Sequence, residues 1–293
     1  MVVRWYAGGR EARGLVRVRQ FALACASVAL AACAGSSDGP PEPVSEGFYG
    51  AAVGDEPRAV LTARDVLTAG GDAVDAAVAY YFAAAVTYPA AASLGAGGAC
   101  VVYDAEANRA EALEFLPPLT AEAPPGMRAV AVPGLARGLY ALHSRYSRLR
   151  FEQLVAPAEA LARLGHRVSR ALAVDIDVAG EALMAEPGMR EAFGGRGAGL
   201  GEGEDFVQID LGATLTQIRS RGVGALYTGA LARRLVDGAS AVGAALDAGA
   251  LQAFAPVWRA TAELEVGYAV AHVPPPPTTA AVSSLAVFAM TVS

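Results

Sequence analysis

Residues Gly70–Phe115 read GGDAVDAAVAYYFAAAVTYPAAASLGAGGACVVYDAEANRAEALEF, and this stretch decides the fold. Asp72 occupies the position of a helix N-cap, and Asp75 follows three residues later, where a carboxylate favours a helix N-terminus. The residues Ala73–Val86 are apolar on nearly every side, which predicts a buried helix and not an amphipathic surface helix. The dipeptide Tyr88-Pro89 ends this helix, because the residue before a proline avoids the helical region.

A glycine cluster follows the helix and precedes a strand. Gly95, Gly97 and Gly98 allow positive φ angles or a close approach of two backbones. The strand Cys100–Tyr103 comes directly afterwards, and a short polar turn leads to a second strand that ends at Phe115. Buried helix, glycine loop and hairpin together form the core of a globular domain.

The N-terminal 32 residues have the composition of a signal peptide. Five arginines precede the apolar run Phe21–Ala32, which is too short to span a bilayer as a mature helix. The run ends in Leu30-Ala31-Ala32-Cys33, which resembles the lipobox of bacterial lipoproteins, so Cys33 is the expected lipidation site. An ordinary signal peptide cleaved nearby, or a start codon placed too early, is the alternative. Residues 33–47 predict a flexible tether, and residues 48–293 the folded domain.

Charge and cysteine content restrict the function. Residues 33–293 hold 18 arginines and 28 acidic residues, a net charge of −10, which disfavours nucleic acid as a partner. With Cys25 in the signal peptide and Cys33 as the anchor, Cys100 is the one remaining thiol. No intramolecular disulfide is then possible, and a buried thiol in a strand is expected to be inert.

Further elements are read from periodicity and breaker residues. Apolar residues at spacings of three and four predict helices over Leu135–Tyr146 and Phe151–Leu164, the second ending at Gly165. Additional expected elements are a strand or helix start at Arg58–Leu67, strands at Met127–Val132 and Glu263–Val273, and helices from Ser169 toward Ala185, over Leu211–Arg221 and over Ala225–Val236. Helices and strands mix without strict alternation, so the predicted class is α+β.

Residue types that carry chemistry are scattered. His143, His166 and His272 match no zinc spacing and are interpreted as surface or helix-end histidines. Asp72 and Asp75 could form a carboxylate pair, but helix capping explains both.

Two further features are given structural interpretations. Arg163, Arg167 and Arg170 are interpreted as a solvated face near a helix end. The glycine-rich segment Gly194–Glu204 matches no nucleotide-binding fingerprint and is expected to be a surface loop. We therefore predict no metal ligand and no cofactor, and motif chemistry alone yields no catalytic residue.

The core stretch resembles the large-subunit region of the gamma-glutamyltransferase family, also called gamma-glutamyltranspeptidases. The resemblance begins in a helix motif and a glycine loop, which are GGNAVDAAVA and AVTHP…LGGGG in the family. It continues collinearly over roughly residues 56–285. The matching segments are Gly70–Ala79, Ala85–Pro89, Leu94–Gly98, Val132–Gly134, Leu154–Ala158, Val207–Leu215, Tyr227–Gly229 and Pro274–Thr279.

This resemblance implies an N-terminal-nucleophile hydrolase fold, which is an αββα sandwich. In that family a precursor cleaves itself, and the new N-terminal threonine attacks the γ-glutamyl amide of substrates such as glutathione. The free α-amine of that threonine acts as general base, and the acyl group passes to water or to an amino acid.

Two departures from the family bear on activity. The family's nucleophile lies well beyond its PPPSSGG segment, near which this sequence stops, so we expect a truncated large-subunit part and an incomplete sandwich. Thr278 and Thr279 fall at the serines of that segment and not at the nucleophile. The family also has an arginine, which pairs with the substrate's α-carboxylate, where this sequence has Leu116. A leucine cannot form that bidentate bond.

Three hypotheses follow from the match and its departures. The first is a secreted, periplasmic or lipid-anchored envelope relative that is inactive as this chain alone. The second is one half of a split enzyme whose small-subunit-like partner supplies the nucleophile. The third is a non-catalytic envelope protein that keeps the fold as a binding or scaffold module.

Overall fold

The computed structural model describes residues 50–118, 124–195, 197, 199–266, 269–278 and 283. The predicted signal peptide of residues 1–32, the tether of residues 33–47, the lipidation site Cys33 and Thr279 lie outside the described residues. Helices and strands mix along the chain, as expected for an α+β protein.

Helices account for most of the described chain. In chain order they are α1 (Pro57–Thr68), α2 (Ala73–Thr87), α3 (Leu135–Tyr146), α4 (Phe151–Leu164), α5 (Arg170–Ala185), α6 (Pro187–Phe193), α7 (Ile209–Arg221), α8 (Gly224–Tyr227), α9 (Gly229–Ala241) and α10 (Ala248–Ala253). The strands are β1 (Ala99–Asp104), β2 (Arg109–Glu114), β3 (Arg128–Ala129), β4 (His166–Arg167), β5 (Asp205–Phe206), β6 (Ala244–Ala245), β7 (Val257–Ala260), β8 (Ala262–Val266) and β9 (Ala269–Val273).

The sequence correctly predicted the central helix. Helix α2 begins after the N-cap Asp72 and ends at Tyr88, directly before Pro89. Its side chains from Phe82 to Thr87 are all buried, and both α1 and α4 pack against this helix. The remaining stripe of Ala73, Ala77 and Tyr81 is exposed or half-buried, and it is apolar too, so this helix has no polar face.

One antiparallel sheet, in the order β1-β2-β7, packs against these helices. Cys100, Val102, Leu113 and Trp258 contact the helical core from one face of the sheet. Because side chains alternate along a strand, their neighbours lie on the opposite face, where the exposed fraction of Tyr103 is 58%. The described residues thus form a helical layer on one face of a sheet.

In the middle of the chain, the observed helix boundaries agree closely with those predicted from the sequence. The bounds of α3 and α4 are the predicted ones, and Gly165 ends α4 with a φ of 84°. Ser169 caps α5 through its hydroxyl oxygen, which accepts a hydrogen bond from the amide of Leu172. The uncertain start at Arg58–Leu67 is helical.

Three element predictions were wrong in part. The strand expected over Met127–Val132 is only the two-residue β3, which pairs in parallel with β6. The single strand expected over Glu263–Val273 is the antiparallel hairpin of β8 and β9. The helix expected over Ala225–Val236 is divided into α8 and α9 at Thr228, an extended residue followed by a glycine at positive φ.

Two buried or half-buried charges hold the helical layer together. Glu159 of α4 accepts hydrogen bonds from Nε of Arg219 at 2.5 Å and from the hydroxyl of Thr216 at 2.9 Å, both on α7. Burial acts to raise the pKa of this carboxyl, but the bonds from Arg219 and Thr216 outweigh burial and lower the pKa. The Arg137 side chain of α3 stacks on Tyr227 and donates to backbone carbonyls at the end of α10.

The packing of α3 against the sheet gives a first prediction. A Cβ atom at Gly138 would lie 2.2 Å from Cγ of the buried Phe115 ring. Gly138→Ala should therefore lower the free energy of unfolding by about 1–3 kcal/mol, the usual cost of overpacking a core. Gly238→Ala on α9 is the matched control, because its Cβ meets nothing within 4 Å. Urea denaturation should show that the control raises stability by about 0.5–1 kcal/mol, and equal effects of the two changes would contradict this packing.

Candidate functional site

The candidate site lies where β2 ends against the glycine loop. The amide of Phe115 donates to the carbonyl oxygen of Gly98 at 2.8 Å, which extends the β1–β2 pairing by one residue. A Cβ at Gly97 would lie 2.6 Å from the Phe115 carbonyl oxygen, and one at Gly134 would lie 2.5 Å from the same atom. Both glycines are needed here because the backbones approach too closely for any side chain.

The start of α3 is fixed to the same loop. The carbonyl oxygen of Ala96 accepts hydrogen bonds from the amides of Gly134 at 2.9 Å and Leu135 at 2.8 Å. Two of the N-terminal amides of α3 are satisfied in this way without a side-chain cap. The Val132-Pro133-Gly134 turn and the glycine loop are thereby joined into one rigid unit under the strand end.

Leu116 follows Phe115 and is partly exposed, with 38% of its surface accessible. Since the Phe115 ring packs into the helical core, alternation places Leu116 on the opposite face of the sheet, together with Glu114. Its aliphatic side chain can offer neither charge nor hydrogen bond to a ligand.

A buried carboxylate lies next to Leu116 on that face. Glu114 is only 6% exposed. One of its oxygens accepts a hydrogen bond from Nε of Arg259 at 2.6 Å, and the other accepts from the hydroxyl of Thr278 at 3.2 Å. Strands β2 and β7, together with the proline-rich segment after β9, therefore meet at one carboxylate.

Asp72 and Asp75 do not form a catalytic pair. Oδ1 of Asp72 accepts hydrogen bonds from the amides of Val74 and Asp75, and Oδ2 of Asp75 accepts from the amide of Asp72, which completes a capping box. Asp75 is fully buried and also accepts from the amides of Arg148 and Leu149. Its oxygens are thus occupied by backbone donors, and the capping interpretation is confirmed.

Comparison with known proteins places this architecture in a family. Residues 59–291 match the family described as gamma-glutamyltranspeptidase. The chain belongs to the gamma-glutamyltranspeptidase family.

Named relatives agree with this assignment. The chain is 32% identical to glutathione hydrolase 3 of Arabidopsis thaliana over 248 residues, covering 80% of this chain and 39% of that protein. It is 31% identical to a glutathione hydrolase proenzyme of Bacillus subtilis, covering 75% of this chain and 40% of that protein. The chain therefore spans 39% and 40% of these two relatives' lengths, consistent with the large-subunit region.

Solved gamma-glutamyltranspeptidases share the fold. The enzyme from Helicobacter pylori superposes with a TM-score of 0.77 at 28% identity, covering 83% of this chain and 74% of that one. The enzyme from Pseudomonas nitroreducens, complexed with L-DON, superposes with a TM-score of 0.73 at 26% identity, covering 80% and 73%. The α+β, N-terminal-nucleophile hydrolase fold expected from the sequence is therefore the fold of this chain.

Compared with the family's sequence motifs, this site retains the glycine loop and the turn but lacks the substrate-binding arginine. The glycine loop, the Val132-Pro133-Gly134 turn and Glu114 are closely packed, while Leu116 stands at the position where the resemblance placed a substrate-binding arginine. Among the described residues no cluster of three or more His, Cys, Asp and Glu could hold a metal ion. No helix in that part of the chain is long and apolar enough to cross a membrane.

The three histidines differ more than the sequence suggested. Nε2 of His143, on α3, lies 2.9 Å from the Leu149 carbonyl oxygen, and Nδ1 of His272 lies 3.0 Å from the Thr261 hydroxyl. His166 follows the end of α4, but it is 6% exposed and packs against the Phe206 ring. Neither of its ring nitrogens has a hydrogen-bond partner among the described residues, so a surface position is wrong for His166.

The remaining candidates are structural. Arg163, Arg167 and Arg170 have exposed side chains, as expected for a solvated face. Arg167 and Arg170 pair with the exposed Asp205 and Glu202, and Arg163 pairs with the buried Glu159. Cys100 is partly buried in β1, and burial raises the pKa of its thiol to about 11, which keeps the thiol protonated and unreactive at neutral pH. The described part of the segment Gly194–Glu204 is a loop before β5.

Sequence reasoning missed the group formed by Glu114, Arg259 and Thr278. The available signal was Glu114 itself, a charged residue that follows Ala112 and Leu113 in a buried strand. A buried carboxylate requires partners, but the partners lie 145 and 164 positions further along the chain. No local pattern identifies them.

The capping role of Asp75 can be tested by a single substitution. Asp75→Asn keeps the size of the side chain but turns an NH₂ group toward backbone amides, so the free energy of unfolding should fall by about 1–3 kcal/mol. Asp65→Asn on α1 is the matched control, because Asp65 is exposed and pairs only with the adjacent Arg64 among described residues. The control should change stability by less than about 0.5 kcal/mol in urea titrations. A stable Asp75→Asn protein would contradict the assigned role.

His166 should make stability depend on pH. Burial lowers the pKa of His166 below its ordinary value, against the opposing effect of the Leu161 backbone and together with the charge of Arg58. The unfolded chain therefore takes up a proton first as pH falls through about 6.5, and the folded state loses at most about 1.4 kcal/mol per pH unit down to the lower folded-state pKa. His166→Phe, which keeps a ring against Phe206, should reduce this loss between pH 7.5 and 5. Identical pH dependence in both proteins would refute the assignment.

Proposed function

We propose that this chain is a subunit of a gamma-glutamyltransferase-type enzyme of the bacterial envelope, inactive alone and completed by a small-subunit-like partner. The observation that carries the proposal is the sheet β1-β2-β7, which has its helical layer on one face only within the described chain. An αββα sandwich needs a second sheet on the other face.

The open face has the properties of a surface meant to be covered. The exposed fractions of Tyr103 and Val257 on this face are 58% and 46%, respectively, whereas Ala112 and Glu114 are buried. The β8–β9 hairpin borders the Tyr103 end of the face, where the two line one pocket. Apolar strand surface left in water favours association with another chain. A partner sheet docked here would also lie next to Leu116 and the Glu114 carboxylate, at the end of β2.

The chemistry would then be divided between two chains. The partner's N-terminal threonine would attack the γ-glutamyl amide, its α-amine would accept the proton, and the acyl group would pass to water or an amino acid. This chain would contribute the wall of the substrate pocket formed by the glycine loop and the strand end. In the described residues no threonine occupies the position of the family nucleophile.

Leu116 favours a second candidate function. Without the arginine that pairs with the substrate's α-carboxylate, the family pocket loses a contact worth roughly 1.5–3 kcal/mol. A non-catalytic envelope protein that uses the same sheet face as a binding or scaffold module would not need this contact. A stable complex with no turnover would support this second candidate.

Turnover by a reconstituted pair tests the proposal. The chain is to be co-expressed with the small subunit of the Helicobacter pylori relative, and chromophore release from a γ-glutamyl anilide is to be measured. We expect no release from this chain alone and measurable release from the pair. Replacing the partner's N-terminal threonine with alanine is the control and should abolish release.

Two results would overturn the proposal. Release by this chain alone would show that it is not inactive. Failure of the two chains to co-elute in size-exclusion chromatography, together with absence of turnover, would exclude the proposed partner class.

The envelope location is part of the same proposal and rests on residues 1–33. Lipidation at Cys33 would hold the domain at a membrane through the tether of residues 33–47. In a bacterial host, an alkyne-labelled fatty acid should be incorporated into the chain and the protein should fractionate with membranes. Cys33→Ser should abolish labelling, whereas Cys100→Ser should leave it unchanged. Labelling that survives Cys33→Ser would disprove lipidation at this residue.

A further inference from the structure

Arg259 lies on the open face of the sheet, and only one of its guanidinium nitrogens is paired among the described residues. Arg259 is on β7, where its Cα is paired with that of Ala112 on β2. Its Nε donates to the Glu114 carboxylate at 2.6 Å, and 48% of its side chain is exposed. The terminal nitrogens donate to none of the described residues. The side chain is therefore anchored at Nε and open at its end.

The carboxylate that anchors Arg259 is itself fixed. Glu114 is buried, and its second oxygen accepts from Thr278 at 3.2 Å. A carboxylate held at both oxygens has little freedom to rotate, so Nε of Arg259 is held in place before any ligand arrives. Pre-orientation of this kind lowers the entropy lost when a ligand binds.

Register brings the arginine close to Leu116. Glu114 is paired with Val257 across the two strands, so the Arg259 side chain leans along the sheet toward the end of β2. Leu116 lies two residues beyond Glu114 on the same face, a separation of about 7 Å. A small ligand seated on Leu116 can therefore reach the guanidinium.

We propose that Arg259 binds the carboxylate of an amino-acid or γ-glutamyl ligand on this sheet face, beside Leu116. This inference rests on the proposed function, because it assigns a ligand contact within the same site. The two terminal nitrogens present parallel N–H donors, an arrangement that matches the two oxygens of a carboxylate. Since Glu114 already offsets part of the positive charge, a singly charged carboxylate suits the site better than a dianionic phosphate.

Two ligands that differ in one group test the contact. L-glutamine carries an α-carboxylate, and 4-aminobutanamide is the same molecule without it. Calorimetric titration of the full chain should show that glutamine binds at least about tenfold more tightly, the usual gain from a charge-assisted hydrogen bond.

Substitutions assign the difference to the arginine. Arg259→Lys keeps a positive charge for Glu114 but removes the two parallel N–H donors of the guanidinium. The Kd for glutamine should therefore rise about tenfold, and the protein should no longer bind glutamine more tightly than 4-aminobutanamide. Combining Arg259→Lys with 4-aminobutanamide should cost no more binding free energy than either change alone, because both remove the same contact. Arg64→Gln, which removes an exposed arginine paired with Asp65 on α1, is the matched control and should bind like the parent chain.

Circular dichroism melting is to accompany each titration. If Arg259→Lys does not fold, the double variant Glu114→Gln, Arg259→Gln replaces it, because a glutamine at 114 can still accept from Thr278 without a buried unpaired charge. The same loss of preference is expected in the double variant.

The outcomes separate this inference from the proposed function. Unchanged glutamine affinity in Arg259→Lys would overturn the role of Arg259 and leave the proposed function intact. Absence of glutamine binding by the parent chain would also overturn it. The variant Leu116→Arg restores an arginine at the family's position. If this variant binds glutamine and the parent chain does not, the family's ligand pocket exists but does not use Arg259. If neither binds and the reconstituted pair shows no turnover, the proposed function fails as well.

Discussion

The structure depends on one close contact between backbone and ring at Phe115. Its carbonyl oxygen lies too near Gly97 and Gly134 for either to carry a side chain, and its ring occupies the space above Gly138. The glycine loop, the hairpin that directly follows it and the more distant α3 are all held at this residue. Since protein interiors are packed to crystal-like density, a single methyl group at any of these glycines would force one of the three elements to move.

Buried carboxylates connect the elements that surround this contact. Asp75 joins the start of α2 to the segment before α4, Glu159 joins α4 to α7, and Glu114 joins β2 to β7. Each carboxylate is satisfied by at least two donors, as burial of a charge requires. Of these three carboxylates, only Glu114 binds an arginine on the open face of the sheet.

Local sequence predicted the elements whose signals are local. The capping box at Asp72 and Asp75 and the buried helix α2 could be read directly, and so could the bounds of α3 and α4. The hairpin of β8 and β9 was predicted as one long strand, although Gly267 in the sequence between them is a turn-forming residue that could have indicated it. By contrast, β3 is short because its length is set by pairing with β6, which lies more than a hundred residues away.

Motif residues and their order were sufficient to indicate the family, the α+β class and the change at Leu116, because all three can be read along the chain. Only the tertiary structure decided which charges meet: Arg259 and Thr278 reach Glu114 across 145 and 164 positions. It also showed that His166 is buried and that its ring nitrogens have no hydrogen-bond partner among the described residues. The physical reason is the same in both cases. Propensity and capping act within a few residues, whereas burial and ion pairing depend on how distant segments pack.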